Sequence, residues 1–386
     1  MSADLRIEPF RVDVDDATLD DLRTRLRNTR FPAQLPDAGW DYGTEREYLR
    51  GLVTYWAEEY DWPARQARMN AFEHFRTEID GTGVHFLHAP SPVEGALPLL
   101  LTHGWPGSFV EFLDVIEPLR DPAAHGGDPA DAFHVVVASL PGYGFSGPTV
   151  ERGWHPGRIA RAWAQLMGEL GYTRYVAQGG DWGYFVTREV ALADPEHCAG
   201  IHINMAPPIP MTEDITPEEQ GFLDGMSAYD AVDSGYMKEQ STKPQTVGYA
   251  LDDSPAGLAA WIVEKFRTWS DCDGDVERSF TKDQLLDNLM VYWVTATAHS
   301  SGRLYYEVMQ GFMNGDLDPL AKPTQPVGYA RYPKEIMRTS ERWFAMQYPL
   351  SHFAEMPRGG HFAAFECPDL YVPDVRTCFR PLREAR

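Results

Sequence analysis

An aspartate stands at the centre of a glycine-rich segment that directly follows an apolar stretch. Residues 179–183 read Gly-Gly-Asp-Trp-Gly, with Asp181 in the middle, and residues 175–177 before them read Tyr-Val-Ala. Small residues on both sides allow the strained turn that lifts a nucleophilic side chain clear of a strand end and starts a helix. Taken alone, the segment is also typical of a turn whose aspartate caps the next helix. The rest of the chain decides between these two interpretations.

A carboxylate at the centre of such a turn favours a particular kind of chemistry. A serine that attacked a strained ether or displaced a halide would be left as a stable ether. A carboxylate attacking the same carbon gives an ester, which water can cleave to regenerate the side chain. Asp181 therefore indicates substrates with an electrophilic sp3 carbon and argues against ordinary esters and peptides.

Short apolar segments alternate with helical ones through the middle of the chain. The apolar segments are residues 97–101, 134–140, 175–177 and 201–205, and the helical segments are residues 159–170 and 184–193. This rhythm predicts crossover connections and a mostly parallel central sheet, with the chemistry at the carboxyl ends of the strands. Since the Asp181 turn follows one of these strands, the sequence predicts an α/β-hydrolase fold.

The remaining sequence predicts additions on both sides of this core. Helical periodicity, followed by a strand hairpin at residues 75–79 and 84–88, marks the N-terminal region. After residue 205 a long helical, aromatic-rich region without strand periodicity interrupts the sheet, which predicts an inserted lid. The predicted regions are an N-terminal segment (1–95), the first part of the core (96–205), a helical lid (206–310) and the second part of the core (311–386).

The composition limits the partners and the location. The 386-residue chain carries a net charge of −23, which argues against a nucleic-acid partner and against an anionic membrane surface. Its first six residues do not open a secretory signal, and no apolar run reaches the ~18 residues of a membrane span. We therefore expect a cytoplasmic protein with free thiols. The cysteines, which show no metal-binding spacing, are Cys198, Cys272, Cys367 and Cys378.

No metal or organic cofactor is expected. Residues 142–147 read Gly-Tyr-Gly-Phe-Ser-Gly after a predicted strand, but Pro148 follows where a dinucleotide site would begin a helix. Residues 271–275 are similar to the start of a calcium loop. The twelfth position of that loop is Lys282, which cannot supply the required carboxylate.

A hydrolase with a nucleophile turn carries its acid and its histidine later in the chain, in that order. Strands are predicted at residues 326–332 and 351–356, and a candidate follows each of them. His361 follows the second strand in the segment Arg-Gly-Gly-His-Phe, where glycines can present the imidazole. Glu335 follows the first. The expected catalytic residues are Asp181, His361 and Glu335, with Glu341 and Glu355 as the alternative acids.

Five motifs lie between residues 103 and 366 of the chain. They are residues 103–108 (His-Gly-Trp-Pro-Gly-Ser), 179–183, 242–251, 254–261 and 358–366 (Arg-Gly-Gly-His-Phe-Ala-Ala-Phe-Glu). Together they resemble the microsomal-type epoxide hydrolases, a family that includes juvenile-hormone epoxide hydrolases and soluble bacterial relatives. The resemblance implies an N-terminal segment that wraps the core. Unlike the membrane-bound members, this chain lacks an N-terminal apolar helix, so a soluble member is expected.

The resemblance also implies roles for individual residues. It makes Asp181 the nucleophile, His361 the base and Glu335 its partner. It further implies that two lid tyrosines hold the epoxide oxygen, for which Tyr236 and Tyr305 match the family positions. Tyr306 is the alternative to its neighbour Tyr305.

The predicted reaction converts an epoxide and water into a vicinal diol, through a hydroxyalkyl ester on Asp181 that is hydrolysed with the help of His361. The backbone N–H group of Trp182 is an expected oxyanion donor because it follows the nucleophile. That of Trp105 is the second. The expected pocket residues are His103, Gly104, Pro106 and Trp261.

Two other functions stay open on the sequence alone. A haloalkane dehalogenase would use the same aspartate and ester, with halide-binding donors in place of the tyrosines. A ligand-binding relative without turnover would keep the fold only. Aromatic residues of the predicted lid favour a bulky or aryl epoxide, although these residues fit the core of the lid equally well: Trp261, Phe266, Trp269, Tyr292 and Trp293. The sequence leaves open the exact substrate, a role in detoxification or natural-product biosynthesis, and whether the protein forms a homodimer.

Overall fold

Within residues 5–383, the range that the computed structural model describes, nine strands form one sheet. The strands are β1 Glu8–Phe10, β2 His74–Ile79, β3 Thr82–Ala89, β4 Leu97–Thr102, β5 Phe133–Ala138, β6 Tyr175–Gly179, β7 Cys198–Ile203, β8 Val327–Arg331 and β9 Leu350–Glu355. Their order across the sheet is β1-β2-β3-β5-β4-β6-β7-β8-β9. Residues 1–4 lie outside the described range; they belong to the first six residues, in which no secretory signal is predicted.

The strands that follow the hairpin run parallel. β4 pairs with β5 on one side and with β6 on the other, and parallel pairing continues through β7, β8 and β9. The strands β1, β2 and β3 add an antiparallel edge next to β5. The central sheet is therefore mostly parallel, which confirms the predicted fold class.

Helices cover this sheet and fill the intervals between its strands. In the described range the helices are α1 Asp16–Arg27, α2 Arg46–Glu58, α3 Trp62–Met69, α4 Leu113–Arg120, α5 Pro156–Glu169, α6 Trp182–Ala193, α7 Pro217–Val232, α8 Gly235–Thr242, α9 Pro244–Asp253, α10 Pro255–Trp269, α11 Lys282–Thr295, α12 Ala298–Asn314, α13 Glu341–Gln347, α14 Ala363–Glu366 and α15 Pro368–Phe379. Because helices shield both faces, the central strands are almost continuously apolar and buried.

Two elements of the N-terminal region were not predicted. β1 has only three residues, too few to show a strand periodicity, and it exists because it pairs with β2. α3 is a short helix that Asp61 caps and in which a proline occupies the first turn. The predicted hairpin does form, as β2 and β3, with the tight turn at Asp80 and Gly81.

Between β7 and β8 the chain runs through consecutive helices from α7 to α12. This helical stretch corresponds to the predicted lid, although the four region boundaries stay predictions. A buried ion pair joins it to the N-terminal region: Arg65 of α3 donates to Asp287 of α11 with an Nε–Oδ1 distance of 2.8 Å. The hydroxyl of Tyr60 donates to the same carboxylate at 2.8 Å.

None of the helices in residues 5–383 has the length and apolar character needed to cross a bilayer.

Candidate active site

The segment around Asp181 forms the predicted turn between β6 and α6. Asp181 has φ of 50° and ψ of −128°, a backbone conformation that is strained for a residue with a side chain. The glycines on either side are required by close approach: a Cβ at Gly179 would lie 2.2 Å from the carbonyl oxygen of Gly183, and one at Gly183 would lie 2.0 Å from that of Thr102. Their absence of side chains lets strand and helix meet this tightly.

The carboxylate of Asp181 is held by the neighbouring strand end. In the sheet, Thr102 at the end of β4 is the partner of Gly179 at the end of β6. The loop after β4 therefore passes over the turn, and the backbone N–H of Trp105 donates to Asp181 Oδ1 at 2.7 Å. Gly104 allows this approach, since a Cβ there would be 2.3 Å from the Asp181 side chain. The other carboxylate oxygen, Asp181 Oδ2, takes no part in this hydrogen bond.

His361 and Glu335 come from the loops that follow β9 and β8. Because parallel strands end at the same edge, the loops bring both side chains to Asp181. His361 Nδ1 lies 2.9 Å and 3.1 Å from the two carboxylate oxygens of Glu335, and His361 Nε2 lies 3.3 Å from Asp181 Oδ2. Both the imidazole and the glutamate are almost completely buried.

Two neighbouring carboxylates control the charge of this imidazole. Burial alone would lower the pKa of His361, but the charge of Glu335 and the charge and contact of Asp181 outweigh it, and the pKa lies well above its usual value. One of these two carboxylates, that of Asp181, belongs to the residue that is expected to react. The pKa of His361 is therefore coupled to the state of Asp181.

Two tyrosines of the helical region meet above this centre. The ring of Tyr236, on α8, stacks on Trp105 with centroids 4.8 Å apart, and the ring of Tyr305, on α12, stands edge-on to Trp105 and Trp182. The two tyrosine rings are 5.9 Å apart. Tyr305 is 97% buried and its hydroxyl has no hydrogen-bond partner, whereas Tyr306 on the same helix is only partly buried.

Burial keeps both phenols protonated. It raises the pKa of Tyr236 and of Tyr305 well above the usual value, and the charge of Asp181 adds to the effect in each case. The structure thus places two O–H donors, in protonated form, close enough to feel the carboxylate that the turn presents.

Three further residues reach this centre, of which sequence reasoning named only Trp269, as one of the aromatic residues of the predicted lid. Tyr229 on α7 hydrogen-bonds through its hydroxyl to that of Tyr236 at 2.6 Å. Trp269 packs edge-on against His361 and bonds through its indole N–H to Asp233 at 2.6 Å. Glu111 is a buried carboxyl at the site. Its only signal in the sequence is an acid within the apolar residues 109–113.

The other predicted site residues fall into separate places. His103 is buried, with its ring bonded to Gly104 and to the backbone N–H of Leu140, and burial lowers its pKa to about 4. The carbonyl of Pro106 accepts from Asn288 at 2.8 Å. Trp182 begins α6, which puts its backbone N–H at the open end of that helix. Trp261 lies apart from the Asp181 carboxylate and lines two outer cavities.

The cavities differ in size and position. A small one of about 20 Å³ lies against Asp181, His361, His103 and Gly104. Two larger ones, of about 850 and 840 Å³, share Tyr42, Gly43, Trp261 and Glu264. The second of these reaches Tyr229, Tyr236, Trp269 and Glu335, so it opens toward the candidate site around Asp181.

In the part of the chain that the structure describes, no three His, Cys, Asp or Glu side chains are grouped so that they could hold a metal ion. The buried thiols are likewise unpaired with one another.

A mostly parallel sheet with an aspartate on the turn after β6, and with an acid and a histidine on the loops after β8 and β9, defines an α/β-hydrolase. Two family models agree: "Epoxide hydrolase N terminus" matches residues 7–112 and "alpha/beta hydrolase fold" matches residues 98–291. The chain belongs to the epoxide hydrolase family, as relatives over nearly its whole length show, and it is a hydrolase by that membership.

Among its relatives is the "Putative epoxide hydrolase" of Stigmatella aurantiaca (strain DW4/3-1), 49% identical over 98% of this chain and 86% of the relative. Epoxide hydrolase 1 of Oryctolagus cuniculus is 39% identical over 96% of this chain and 88% of its own. The crystal structure of juvenile hormone epoxide hydrolase from Bombyx mori superposes with a TM-score of 0.90 at 34% identity, covering 99% of this chain and 96% of the other.

Proposed function

We propose that the protein hydrolyses a bulky or aryl epoxide to a vicinal diol through an ester on Asp181. One arrangement carries this proposal. Asp181 Oδ1 is occupied by the backbone N–H of Trp105, Asp181 Oδ2 lies beside His361, and Tyr236 and Tyr305 meet above the same carboxylate. The proposed nucleophile, base and two acids are thus grouped around the Asp181 carboxylate.

In the first step Asp181 Oδ2 attacks an epoxide carbon, and the bond from that carbon to the ring oxygen breaks. The departing oxygen would be a strongly basic alkoxide, so hydrogen bonds and a proton from Tyr236 or Tyr305 accelerate the step by roughly 10²–10⁴-fold. The unpartnered hydroxyl of Tyr305 supports this role, since a buried hydroxyl without an acceptor is costly unless a ligand supplies one.

Alkylation then prepares the base. While Asp181 is a carboxylate, its charge helps to keep the pKa of His361 high. Once Asp181 is a neutral ester this contribution is lost, and the pKa of His361 falls. The imidazole can then pass its proton to the phenolate that the first step left, which restores the tyrosine, and act as a base toward water.

In the second step water gives a proton to His361 and attacks Cγ of Asp181. The backbone N–H of Trp105 already points at Oδ1, which carries the developing negative charge, and the N–H of Trp182 at the start of α6 is the second donor. The diol leaves with the original Oδ2 atom, and Asp181 keeps the oxygen of the water. The proton of the Asp181 carboxyl group then passes to His361, which restores the starting carboxylate and imidazolium.

The test traps the ester. His361→Gln is mixed with styrene oxide and its intact mass is followed, together with diol formation by the parent protein. We expect the variant to gain the mass of the epoxide on the peptide that contains Asp181, while the parent forms diol. His197→Gln, a change at an exposed imidazole, serves as the matched control and should turn over without accumulating ester.

A single turnover of the parent in ¹⁸O-labelled water adds a second readout. The label should enter the Asp181 carboxylate and not the diol. If the parent makes no diol from styrene oxide or from other bulky epoxides and the variant gains no mass, the proposed function is wrong. Release of chloride or bromide from haloalkanes would instead indicate a dehalogenase.

A further inference from the structure

A small cavity adjoins the catalytic carboxylate on the side of the sheet. Its volume of about 20 Å³ exceeds the roughly 10–15 Å³ that one water molecule needs. Asp181 and His361 both line it, as do Glu111, Gln178 and Asn204. The cavity is therefore large enough for one water next to the atoms that the second step uses, and it is lined by polar groups.

Glu111 presents a carboxyl to this cavity from the short 3-10 turn Phe109–Phe112. The side chain is enclosed by the protein and retains an exposed fraction of only 9%, and it lines the cavity. Its carboxyl lies directly against Gly107, where a Cβ would be 1.4 Å from Glu111 Oε1. The space that the carboxyl occupies thus exists only because residue 107 is a glycine.

Other polar groups around the cavity are already engaged. The amide of Gln178 donates to Asn204 Oδ1 at 2.9 Å and accepts from the hydroxyl of Tyr371 at 2.5 Å, so both of its ends are used. By contrast, His361 Nε2 is buried and makes no aligned hydrogen bond, although Asp181 Oδ2 is nearby. A buried ring nitrogen without a partner calls for a water or a ligand.

We propose that this cavity is the site of the hydrolytic water, and that Glu111 positions this water between His361 Nε2 and the Asp181 carboxyl carbon. The proposal rests on the proposed function, since it concerns the second step of that reaction. Glu111 is a positioning residue in it and undergoes no net chemical change.

The roles of the atoms follow from the geometry. One hydrogen of the water passes to His361 Nε2 while the water oxygen bonds to Cγ of Asp181. The second hydrogen is donated to a carboxyl oxygen of Glu111, which fixes the direction of attack. Collapse of the intermediate breaks the bond from Cγ to the alkyl-bearing oxygen, and this oxygen takes the proton from His361.

Glu111 serves this role as a neutral acid. Burial raises its pKa to about 8, with the charge of Asp181 adding to the effect and that of His361 opposing it. An ionised Glu111 would place a second negative charge beside the oxyanion of Asp181, which is unfavourable in a buried site. The titratable groups around Glu111 are Asp181, His361, Glu366, Tyr292 and Tyr371.

Because the acid form is present below the raised pKa, ester hydrolysis by the parent should decline above about pH 8. Gln has the size of a neutral Glu and, like it, both donates and accepts hydrogen bonds, but it does not titrate. Glu111→Gln should therefore hydrolyse the ester at neutral pH and lose the alkaline decline. Glu111→Leu keeps the volume and removes the hydrogen bond.

The experiment measures the two steps separately with styrene oxide. Rapid quenching and intact mass give the rate of ester formation and the rate of its disappearance, between pH 6 and 10. In Glu111→Leu we expect unchanged alkylation and hydrolysis of the ester slowed about 100-fold, as for a misplaced reactant. Glu117→Gln, at a half-exposed glutamate on α4, is the control and should match the parent in both steps.

The outcomes separate the two proposals. If the parent forms the ester and Glu111→Leu hydrolyses the ester as fast as the parent does, the proposed water site is wrong and the proposed function stands. Equal slowing of both steps would also overturn the water site, because that marks a structural role. If the parent forms neither ester nor diol, the proposed function itself is wrong. If Glu111→Leu does not fold, Glu111→Gln still tests the water site: an alkaline decline of ester hydrolysis that persists in this variant would overturn it.

Discussion

The sheet side and the helical side of the catalytic centre are built in different ways. On the sheet side, Asp181 and Glu335 already have partners: the backbone of Trp105 and the imidazole of His361. On the helical side, Tyr305 presents a buried hydroxyl with no partner, and aromatic contacts hold its ring.

The difference follows from the chemistry that we propose for each side. In the proposed reaction Asp181 and Glu335 act through their charged carboxylates, and hydrogen bonds hold both before the substrate arrives, as preorganisation requires. Tyr305, a proposed donor to the substrate oxygen, has an unpartnered hydroxyl and is held by ring packing, whereas Tyr236 is also held by the hydrogen bond to Tyr229. Asp181 and Glu335 should therefore tolerate no change of chemical group, while the effect of a change on the helical side should depend on its distance from the substrate oxygen.

The largest effect is expected at the nucleophile. Asp181→Asn keeps the size of the side chain but removes the carboxylate, so we expect kcat to fall roughly 10⁴-fold or more and no ester to form. Diol formation and intact mass measure both. Asp114→Asn, at a half-exposed aspartate, is the control and should behave as the parent. Substantial residual turnover in Asp181→Asn would mean that water attacks the epoxide directly.

The next effect concerns the attachment of the helical side. Asp287 is buried and binds Arg65 and Tyr60 of the N-terminal region. Asp287→Asn leaves the guanidinium of Arg65 without its buried charge partner, so the free energy of unfolding should fall by about 3 kcal/mol. Asp283→Asn removes a more exposed partner of Arg65 and should cost less than about 1 kcal/mol. Chemical denaturation compares the two. Equal effects would show that burial of the pair is unimportant.

Of the neighbouring residues Tyr305 and Tyr306, the structure favours Tyr305 as a donor to the substrate oxygen. Tyr305→Phe keeps the aromatic packing and removes the hydroxyl, so we expect ester formation about 100-fold slower with ester hydrolysis unchanged. Tyr306→Phe should leave both rates as they are, because Tyr306 is partly buried on the same helix and its ring does not belong to the cluster around Trp105. The reverse result would assign the oxygen-binding role to Tyr306.

The smallest effect is expected one residue further from the substrate. Tyr229→Phe removes the hydroxyl that bonds to Tyr236 at 2.6 Å. Loss of one such hydrogen bond should slow ester formation about 5-fold. Tyr249→Phe, at an exposed tyrosine, should have no effect. A loss as large as that of Tyr305→Phe would place Tyr229 on the substrate oxygen itself.

Much of the core could be predicted because local sequence carries it. The strand before Asp181 and the glycines around it are neighbours in the chain, and their pattern predicts a turn. The order of acid and histidine along the chain led to Glu335 and His361, which the structure brings to Asp181. Strand β1 could not be predicted, since three residues have no periodicity and only the pairing with β2 makes them a strand.

The sequence by itself determined the class of fold, the turn that presents an aspartate and the acid and histidine that follow later strands. Only the tertiary structure decided that Tyr305 rather than Tyr306 faces the centre, that Tyr229 bonds to Tyr236, that Trp261 lies in the outer cavities, and that Glu111 borders a cavity beside Asp181. The physical reason is that turns and periodic segments arise from neighbouring residues. Burial and facing direction arise from packing between segments far apart in the chain.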